Sequence, residues 1–269
     1  MSGVAVRGRT LREGQGQGPT VVLLHPLGAG ADFWERAAAS LDGLGVYSVD
    51  LPGHGGCPVP DEQYGAADVA AALATHLRGL GHQGVHVVGL SLGGLVALEL
   101  AAHDPGLVSS LVVAATVPFY PEDWRERWRV RAADAARLGV TPFVEPTLQL
   151  WLTPAALAAD GPEVAYVKRT LADIDPRGYA LACLALAEAD VASRLGTITA
   201  PTLLVDGGLD APLFHDGAAR LARSIPGARR AVIPGARHAS ALEFAEPFAR
   251  LVRDWVRPGN DGPDEGNRS

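Results

Sequence analysis

A serine in a Gly-x-Ser-x-Gly pattern is the residue whose setting most clearly indicates chemistry. The pattern is Gly89-Leu90-Ser91-Leu92-Gly93, between a predicted strand at Val85–Val88 and a predicted helix at Leu92–His103. A tight strand-to-helix turn needs small residues two before and two after the serine, so that the backbone passes without a clash. The turn lifts the hydroxyl above the strand, at the positive end of the helix dipole. We therefore predict a nucleophile at Ser91, the alternative being a structural turn.

A serine hydroxyl needs a base and an orienting acid. In a fold that places the serine on a strand-to-helix turn of this kind, the expected chain order is serine, then acid, then histidine. Two histidines fit this order, His215 and His238. His238 lies in a loop directly after a predicted strand, whereas His215 would have to reach back across its own turn. For the acid we favour Asp210, beyond a glycine turn, over Asp206, which ends the strand and would then cap the turn. The predicted triad is Ser91, Asp210 and His238.

Acyl transfer also needs hydrogen-bond donors for the oxyanion that develops on the substrate. The backbone N–H of Leu92, directly after the serine, is one candidate, and that of Leu27 is the other, because its loop leaves the first buried strand at the same sheet edge. His25 and His54 lie in loops near this edge, where we expect them to brace the loops by hydrogen bonds rather than to act in catalysis.

These residues must be positioned by a sheet, and short β-branched runs do alternate with helical stretches. This alternation is typical of a mostly parallel sheet flanked by helices. The predicted strands are Thr20–Leu24, Val46–Val49, Val85–Val88, Leu111–Ala115, Thr202–Val205 and Arg230–Ile233. The predicted helices begin at Asp32, whose side chain can cap the first one, and cover Ala66–Gly79, Leu92–His103 and Leu242–Val256. Val4–Val6 and Thr10–Arg12 predict a short opening hairpin.

The alternation stops in the middle of the chain. Residues 118–195 show helical spacing interrupted by prolines, without a strand pattern. We therefore expect an α/β core from residues 1–117 and 196–256, with residues 118–195 inserted as a helical cap. Residues 257–269 are polar and rich in glycine and proline, which predicts a disordered tail.

Composition excludes several classes of protein. Of 269 residues, 48% are hydrophobic and 20% charged, which permits a sizeable core. The net charge of −7 argues against a nucleic-acid or anionic-membrane partner. The two cysteines, Cys57 and Cys183, match no metal-ligand spacing and indicate reduced thiols in a cytosolic protein. The N-terminus lacks a secretory signal and no apolar run could span a bilayer, so we predict a cytoplasmic protein.

Several segments together resemble the 3-oxoadipate enol-lactonase family of α/β-hydrolases. They are Val88–Gly94, Asp175–Tyr179, Cys183, Ala187–Asp190, Ala200–Leu203, Pro234–His238 and Leu242-Glu243. The resemblance implies an α/β-hydrolase fold and hydrolytic opening of an enol-lactone by Ser91, Asp210 and His238, without a cofactor or a metal. It also matches Trp151 to a cap tryptophan that faces the substrate, the alternative being ordinary cap packing.

The chain departs from that family at two positions. Leu150 stands where an arginine commonly precedes the cap tryptophan, and Pro52 stands where an arginine precedes Gly-His-Gly. Another cap helix carries Arg125, Arg127, Arg129 and Arg131. At this alternating spacing they cannot all face one pocket, and a solvated face is expected.

We expect a serine hydrolase that cleaves a lactone or a small carboxylic ester, with Trp124, Trp128 and Trp151 in the pocket wall. One alternative is a biosynthetic cyclase, lyase or acyl-transferring enzyme with the same fold. Another is a small-molecule receptor with little turnover.

Overall fold

The computed structural model describes residues 3–14 and 19–257. Seven strands form one sheet in the order β1-β3-β2-β4-β5-β6-β7, with β1 antiparallel to β3 and every other neighbouring pair parallel. The strands are β1 Arg7–Arg12, β2 Thr20–Leu24, β3 Gly45–Asp50, β4 Val85–Leu90, β5 Val108–Ala114, β6 Thr202–Gly207 and β7 Arg229–Ile233. The predicted α/β class, a mostly parallel sheet flanked by helices, is confirmed.

Helices cover the sheet and fill the long connection between β5 and β6. They are α1 Glu35–Ala39, α2 Ala66–Gly79, α3 Leu92–His103, α4 Glu122–Leu138, α5 Val144–Trp151, α6 Pro154–Ala159, α7 Pro162–Asp173, α8 Pro176–Glu188, α9 Pro212–Ser224, α10 Ser240–Glu243 and α11 Ala245–Val256. Short 3₁₀ helices occur at Ala31–Trp34, Thr141–Phe143 and Ala192–Thr197.

The centre of the sheet is buried on both faces. From Val21 to Leu24 no residue of β2 is more than 1% exposed, as expected of a parallel strand with helices on each side. Behind the sheet, α3 is buried continuously from Leu92 to Ala101, because α2 and the Ala192–Thr197 turn cover its outer face. This rigid layer fixes the position of the turn that precedes α3.

The helices α4 to α8 form what we call the helical insertion. Phe119 and Asp190 pair in an isolated antiparallel bridge, and the Val191 N–H donates to the Pro118 carbonyl oxygen at 3.0 Å. The chain therefore enters and leaves the insertion at neighbouring points. Within the insertion, α4 packs lengthwise on α8.

The predicted opening hairpin is wrong. Arg7–Arg12 is one continuous strand that pairs with β3, and Val4–Val6 is not a strand. Gly8 permits this pairing, since a Cβ at that position would lie 2.4 Å from the ring of Tyr47 on β3. Pairing with β3 at the edge of the sheet thus extended Arg7–Arg12 into a strand, although its local pattern favoured a turn.

Near the C-terminus, the predicted helix Leu242–Val256 is divided into α10 and α11 at Phe244. The predicted disordered tail, residues 257–269, lies outside the described residues except for Arg257. Both cysteines are free and buried, and burial raises the pKa of the Cys183 thiol to about 12. None of the helices in the described part of the chain is long and apolar enough to cross a membrane.

Candidate active site

Ser91 occupies a strained turn at the carboxyl end of β4. Its backbone has φ 56° and ψ −114°, a conformation that costs a non-glycine residue free energy and therefore needs support from its surroundings. The support comes from β5 and the residues after it: the Ser91 N–H donates to the Ala114 carbonyl oxygen at 2.9 Å, and the Thr116 hydroxyl donates to the Ser91 carbonyl oxygen at 2.8 Å.

The glycines around Ser91 are required by close backbone contacts. A Cβ on Gly89 would lie 2.3 Å from the Gly93 carbonyl oxygen, and a Cβ on Gly93 would lie 2.2 Å from that of Leu24. The prediction of small residues two before and two after the serine is therefore confirmed. The structure adds Gly94, where a Cβ would meet the Thr116 hydroxyl at 2.0 Å.

Asp210 and His238 lie together at the same edge of the sheet. The His238 Nδ1 and an Asp210 carboxylate oxygen are 3.0 Å apart, and both side chains are almost fully buried. The other carboxylate oxygen of Asp210 accepts the Ala211 N–H at 2.7 Å, which fixes the carboxylate plane. The Phe214 ring packs on the imidazole with centroids 4.3 Å apart. This arrangement holds one histidine tautomer, with the proton on Nδ1.

The two rival residues have other partners or positions. Asp206 pairs with Arg230 at 2.7 Å, and its burial raises the pKa of its carboxyl group while the arginine opposes that rise. His215 lies on α9. Of the four candidates weighed from the sequence, the structure brings together Asp210 and His238.

The loop of residues 25–31, which we call the oxyanion loop, follows β2 at this edge. The His25 Nε2 accepts the Leu51 N–H at 3.0 Å, so its proton lies on Nδ1, which donates to the Pro26 carbonyl oxygen at 2.8 Å. Within the described chain, neither the Leu27 N–H nor the Leu92 N–H donates to another protein group. Amides without a protein acceptor at the same sheet edge as a strained serine are candidates to stabilise an oxyanion.

The expectation that His25 and His54 brace loops agrees with their hydrogen bonds. His54 pairs through Nδ1 with the Pro52 carbonyl oxygen at 3.0 Å, and the two rings lie 5.1 Å apart. Burial lowers the pKa of His25 to about 4 and that of His54 to about 3. Both rings are therefore neutral at pH 7.

The three predicted pocket tryptophans lie on the helical insertion in different settings. Trp151 is buried, with its ring edge-on to Phe33 at 5.8 Å, and its carbonyl oxygen accepts the N–H of Ala239, directly after His238. Trp124 and Trp128 flank the Tyr120 ring, at 6.4 Å and 5.7 Å.

Tyr120 was not singled out from the sequence, yet it is buried and close enough to Asp210 to be influenced by the charge of that carboxylate. Burial and the negative charge of Asp210 raise the pKa of its phenol, so it stays protonated. Its position between the predicted strand Leu111–Ala115 and α4, the first helix of the insertion, is the signal that could have identified it.

Arg131 corrects the prediction of a solvated arginine face. Its Nε donates to the Tyr179 hydroxyl at 2.8 Å and its Nη2 to the Thr147 hydroxyl at 3.2 Å, while the guanidinium lies 4.5 Å from the centre of the Phe143 ring. Helical periodicity explains this, because position 131 shares the inner face of α4 with Ala135.

Of the other three arginines in this run, Arg127 is exposed beside Asp123 and agrees with the expected solvated face. Arg125 and Arg129 are partly buried, and both pair with Glu188. The described residues contain no group of three or more His, Cys, Asp or Glu side chains that could hold a metal ion.

Comparison with known proteins agrees with the observed fold. A sequence model described as the alpha/beta hydrolase fold matches residues 19–245. A pimeloyl-[acyl-carrier protein] methyl ester esterase of Chromobacterium violaceum is 34% identical over 248 residues, which cover 90% of this chain and 95% of that protein. The 3-oxoadipate enol-lactonase 2 of Acinetobacter baylyi is 31% identical over 73% of each chain.

Among solved structures, an enol-lactonase from Burkholderia xenovorans superposes with a TM-score of 0.88 at 26% identity, over 94% of this chain and 97% of that one. The resemblance predicted from sequence segments is thus confirmed at the level of the family. The chain belongs to the α/β-hydrolase fold family.

Proposed function

We propose that this protein is a serine hydrolase that cleaves carboxylic esters, lactones among them, through an acyl-enzyme. The observation that carries the proposal is the buried Asp210–His238 pair at the same sheet edge as the strained turn of Ser91. The esterase and enol-lactonase names of its relatives support this class of substrate.

In the proposed reaction, His238 Nε2 takes the proton of the Ser91 hydroxyl as the Oγ attacks the carbonyl carbon. The N–H groups of Leu27 and Leu92 stabilise the oxyanion of the tetrahedral intermediate. When the intermediate collapses, His238 returns the proton to the leaving alkoxide, and the acyl group stays on Ser91. A water molecule, deprotonated by His238, then attacks the acyl carbon and releases the acid. Asp210 holds the imidazole and stabilises its protonated form.

A lactone follows the same steps with one difference. Its leaving alkoxide stays attached to the acyl group, so hydrolysis gives a single open-chain product. An enol-lactone would release an enol, which converts to a ketone. The same triad can therefore act on both esters and lactones. The residues that line the pocket would discriminate between these two types of substrate.

We propose that the helical insertion is a cap that sets substrate choice, within the predicted division into a core (residues 1–117 and 196–256) and a cap (residues 118–195). Ser91 is only 8% exposed, which fits a covered site. Trp124, Trp128 and Trp151 would form its aromatic wall. Arg131 is a cation whose described hydrogen-bond partners are hydroxyl groups, so an acidic substrate group has a candidate partner there.

The proposal is tested with a panel of p-nitrophenyl esters, methyl esters and lactones, each neutral compound paired with a carboxylate-bearing analogue. We expect turnover by the wild type and a loss of activity of at least about 10³-fold in Ser91→Ala. The surface control Ser109→Ala should keep the activity of the wild type. Full activity in Ser91→Ala would favour a non-covalent cyclase or lyase. Binding of panel compounds without turnover would favour a receptor.

A further inference from the structure

The oxyanion loop depends on groups outside itself for its hydrogen bonds. Only the Ala29 N–H is satisfied within the loop, by the Pro26 carbonyl oxygen at 3.2 Å. The Ala31 N–H donates to the Asp50 carboxylate of β3 at 2.6 Å. The Gly30 N–H donates to the Tyr166 hydroxyl at 3.3 Å, and Tyr166 belongs to α7 of the helical insertion. The insertion therefore supplies one of the acceptors for the loop N–H groups. The core also holds the loop through the Leu51 N–H, which donates to His25, and through the Ser48 hydroxyl, which donates to the Ala31 carbonyl oxygen at 2.8 Å.

The Tyr166 hydroxyl connects the loop to the residues that follow it. It accepts from Gly30 and donates to the Asp32 carboxylate at 3.0 Å, while the other Asp32 oxygen receives Arg169 at 2.7 Å. Asp32 thus pairs with α7 and does not cap its own helix, which corrects the prediction from the sequence. Burial and the charge of Asp32 raise the pKa of Tyr166, so the phenol keeps the proton that it donates.

Side chains of the insertion also pack against the oxyanion loop. Gly28, directly after Leu27, has φ +83°, and a Cβ there would lie 2.6 Å from Leu171 on α7 and 3.4 Å from the Tyr179 ring on α8. The residue next to the proposed oxyanion donor therefore packs closely against the insertion.

We propose that Tyr166 is a positioning residue that couples the seating of α7 to the oxyanion hole. With its hydroxyl in place, the loop presents the Leu27 N–H to the oxyanion; without it, the Gly30 N–H loses its acceptor and the loop relaxes. Tyr166 acts only through the loop and touches no reacting atom. The inference rests on the proposed function, because it needs Ser91 as the nucleophile and Leu27 as a donor.

The test compares Tyr166→Phe with Glu163→Gln. Glu163 lies one turn earlier on α7 and pairs with Arg36 of α1, so it joins the insertion to the core without touching the oxyanion loop. Two rates are measured: labelling of Ser91 by a fluorophosphonate probe, whose phosphoryl oxygen occupies the oxyanion hole, and hydrolysis of p-nitrophenyl butyrate.

In Tyr166→Phe we expect the labelling rate and kcat to fall together by about tenfold, less than for complete loss of a donor, with KM within about twofold. Glu163→Gln should leave both rates within about twofold of the wild type. Arg169→Gln, which weakens the hold on Asp32 but keeps the Gly30 bond, should lower both rates in the same ratio and by less than Tyr166→Phe.

Equal losses in Tyr166→Phe and Glu163→Gln would overturn the inference, as would a Tyr166→Phe effect confined to thermal stability or to KM. Either result would make Tyr166 a structural contact only. Failure of the proposed function is a separate outcome, because it appears in the wild type as absence of labelling at Ser91.

Discussion

Replacing Gly93 by alanine tests how closely α3 approaches β2 behind the nucleophile. The added Cβ would lie 2.2 Å from the Leu24 carbonyl oxygen and 2.9 Å from that of His25. Carbon and oxygen atoms at van der Waals contact are more than 3 Å apart, so the helix start and the end of β2 must separate by about 1 Å. Neither neighbour can yield as a flexible side chain would, because both are backbone atoms.

This separation acts on the two groups that the mechanism uses. Leu92 carries one proposed oxyanion donor and adjoins Gly93, and His25 begins the loop that carries the other. Overpacking of this kind costs about 3 kcal/mol of unfolding free energy, which corresponds to a fall in Tm of about 6 to 12 °C for a domain of this size. A misplacement of about 1 Å at the site lowers kcat/KM by about 10²-fold.

The assay is thermal unfolding together with kcat/KM for p-nitrophenyl butyrate. Gly106→Ala is the matched control, because a Cβ there has no neighbour within 4 Å and should change stability by less than about 0.5 kcal/mol. A Gly93→Ala variant with the Tm and kcat/KM of the control would refute the close approach of α3 to β2.

Two further predictions concern the acid and the buried histidines. Asp210→Asn should lower kcat by about 10³- to 10⁴-fold, because the amide no longer holds the His238 tautomer, whereas Asp206→Asn should cost less than about tenfold; the reverse order in steady-state rates would assign the acid to Asp206. The pKa values of His25 and His54 are lowered in the folded protein, where both rings are neutral. Below about pH 6.5 the unfolded chain therefore binds protons that the folded protein does not, so the free energy of unfolding decreases as the pH is lowered. Each of the two histidines should lower the free energy of unfolding by about 2 kcal/mol at pH 5 relative to pH 7. In urea unfolding, the free energy of unfolding of His54→Gln should therefore depend less steeply on pH than that of the wild type.

Local pattern was enough to predict the elements that carry the nucleophile. The bounds of α2 and α3 agree with the prediction, because a change of hydrophobic period and a glycine turn mark them in the sequence. The glycines at 89 and 93 could also be predicted, since the turn imposes its own steric rule. The pairing of Asp210 with His238 followed from chain order and strand position.

The errors share a physical cause, which is a partner distant in sequence. Asp32 has the composition of a helix cap, but Tyr166 and Arg169, more than 130 residues later, bind its carboxylate. Arg131 belongs to an alternating charged run, yet Tyr179 on α8 draws it inward. The predicted opening hairpin does not form, because Arg7–Arg12 pairs with β3 instead. In each case tertiary contacts outweighed a local preference.

The most direct test of the account is covalent labelling of the purified protein with a fluorophosphonate, followed by peptide mass spectrometry. We expect one adduct, on Ser91, which is absent from Ser91→Ala and forms far more slowly in His238→Ala. Absence of an adduct on the wild type, or an adduct on another residue with Ser91 unmodified, would contradict the assignment of Ser91 as the nucleophile.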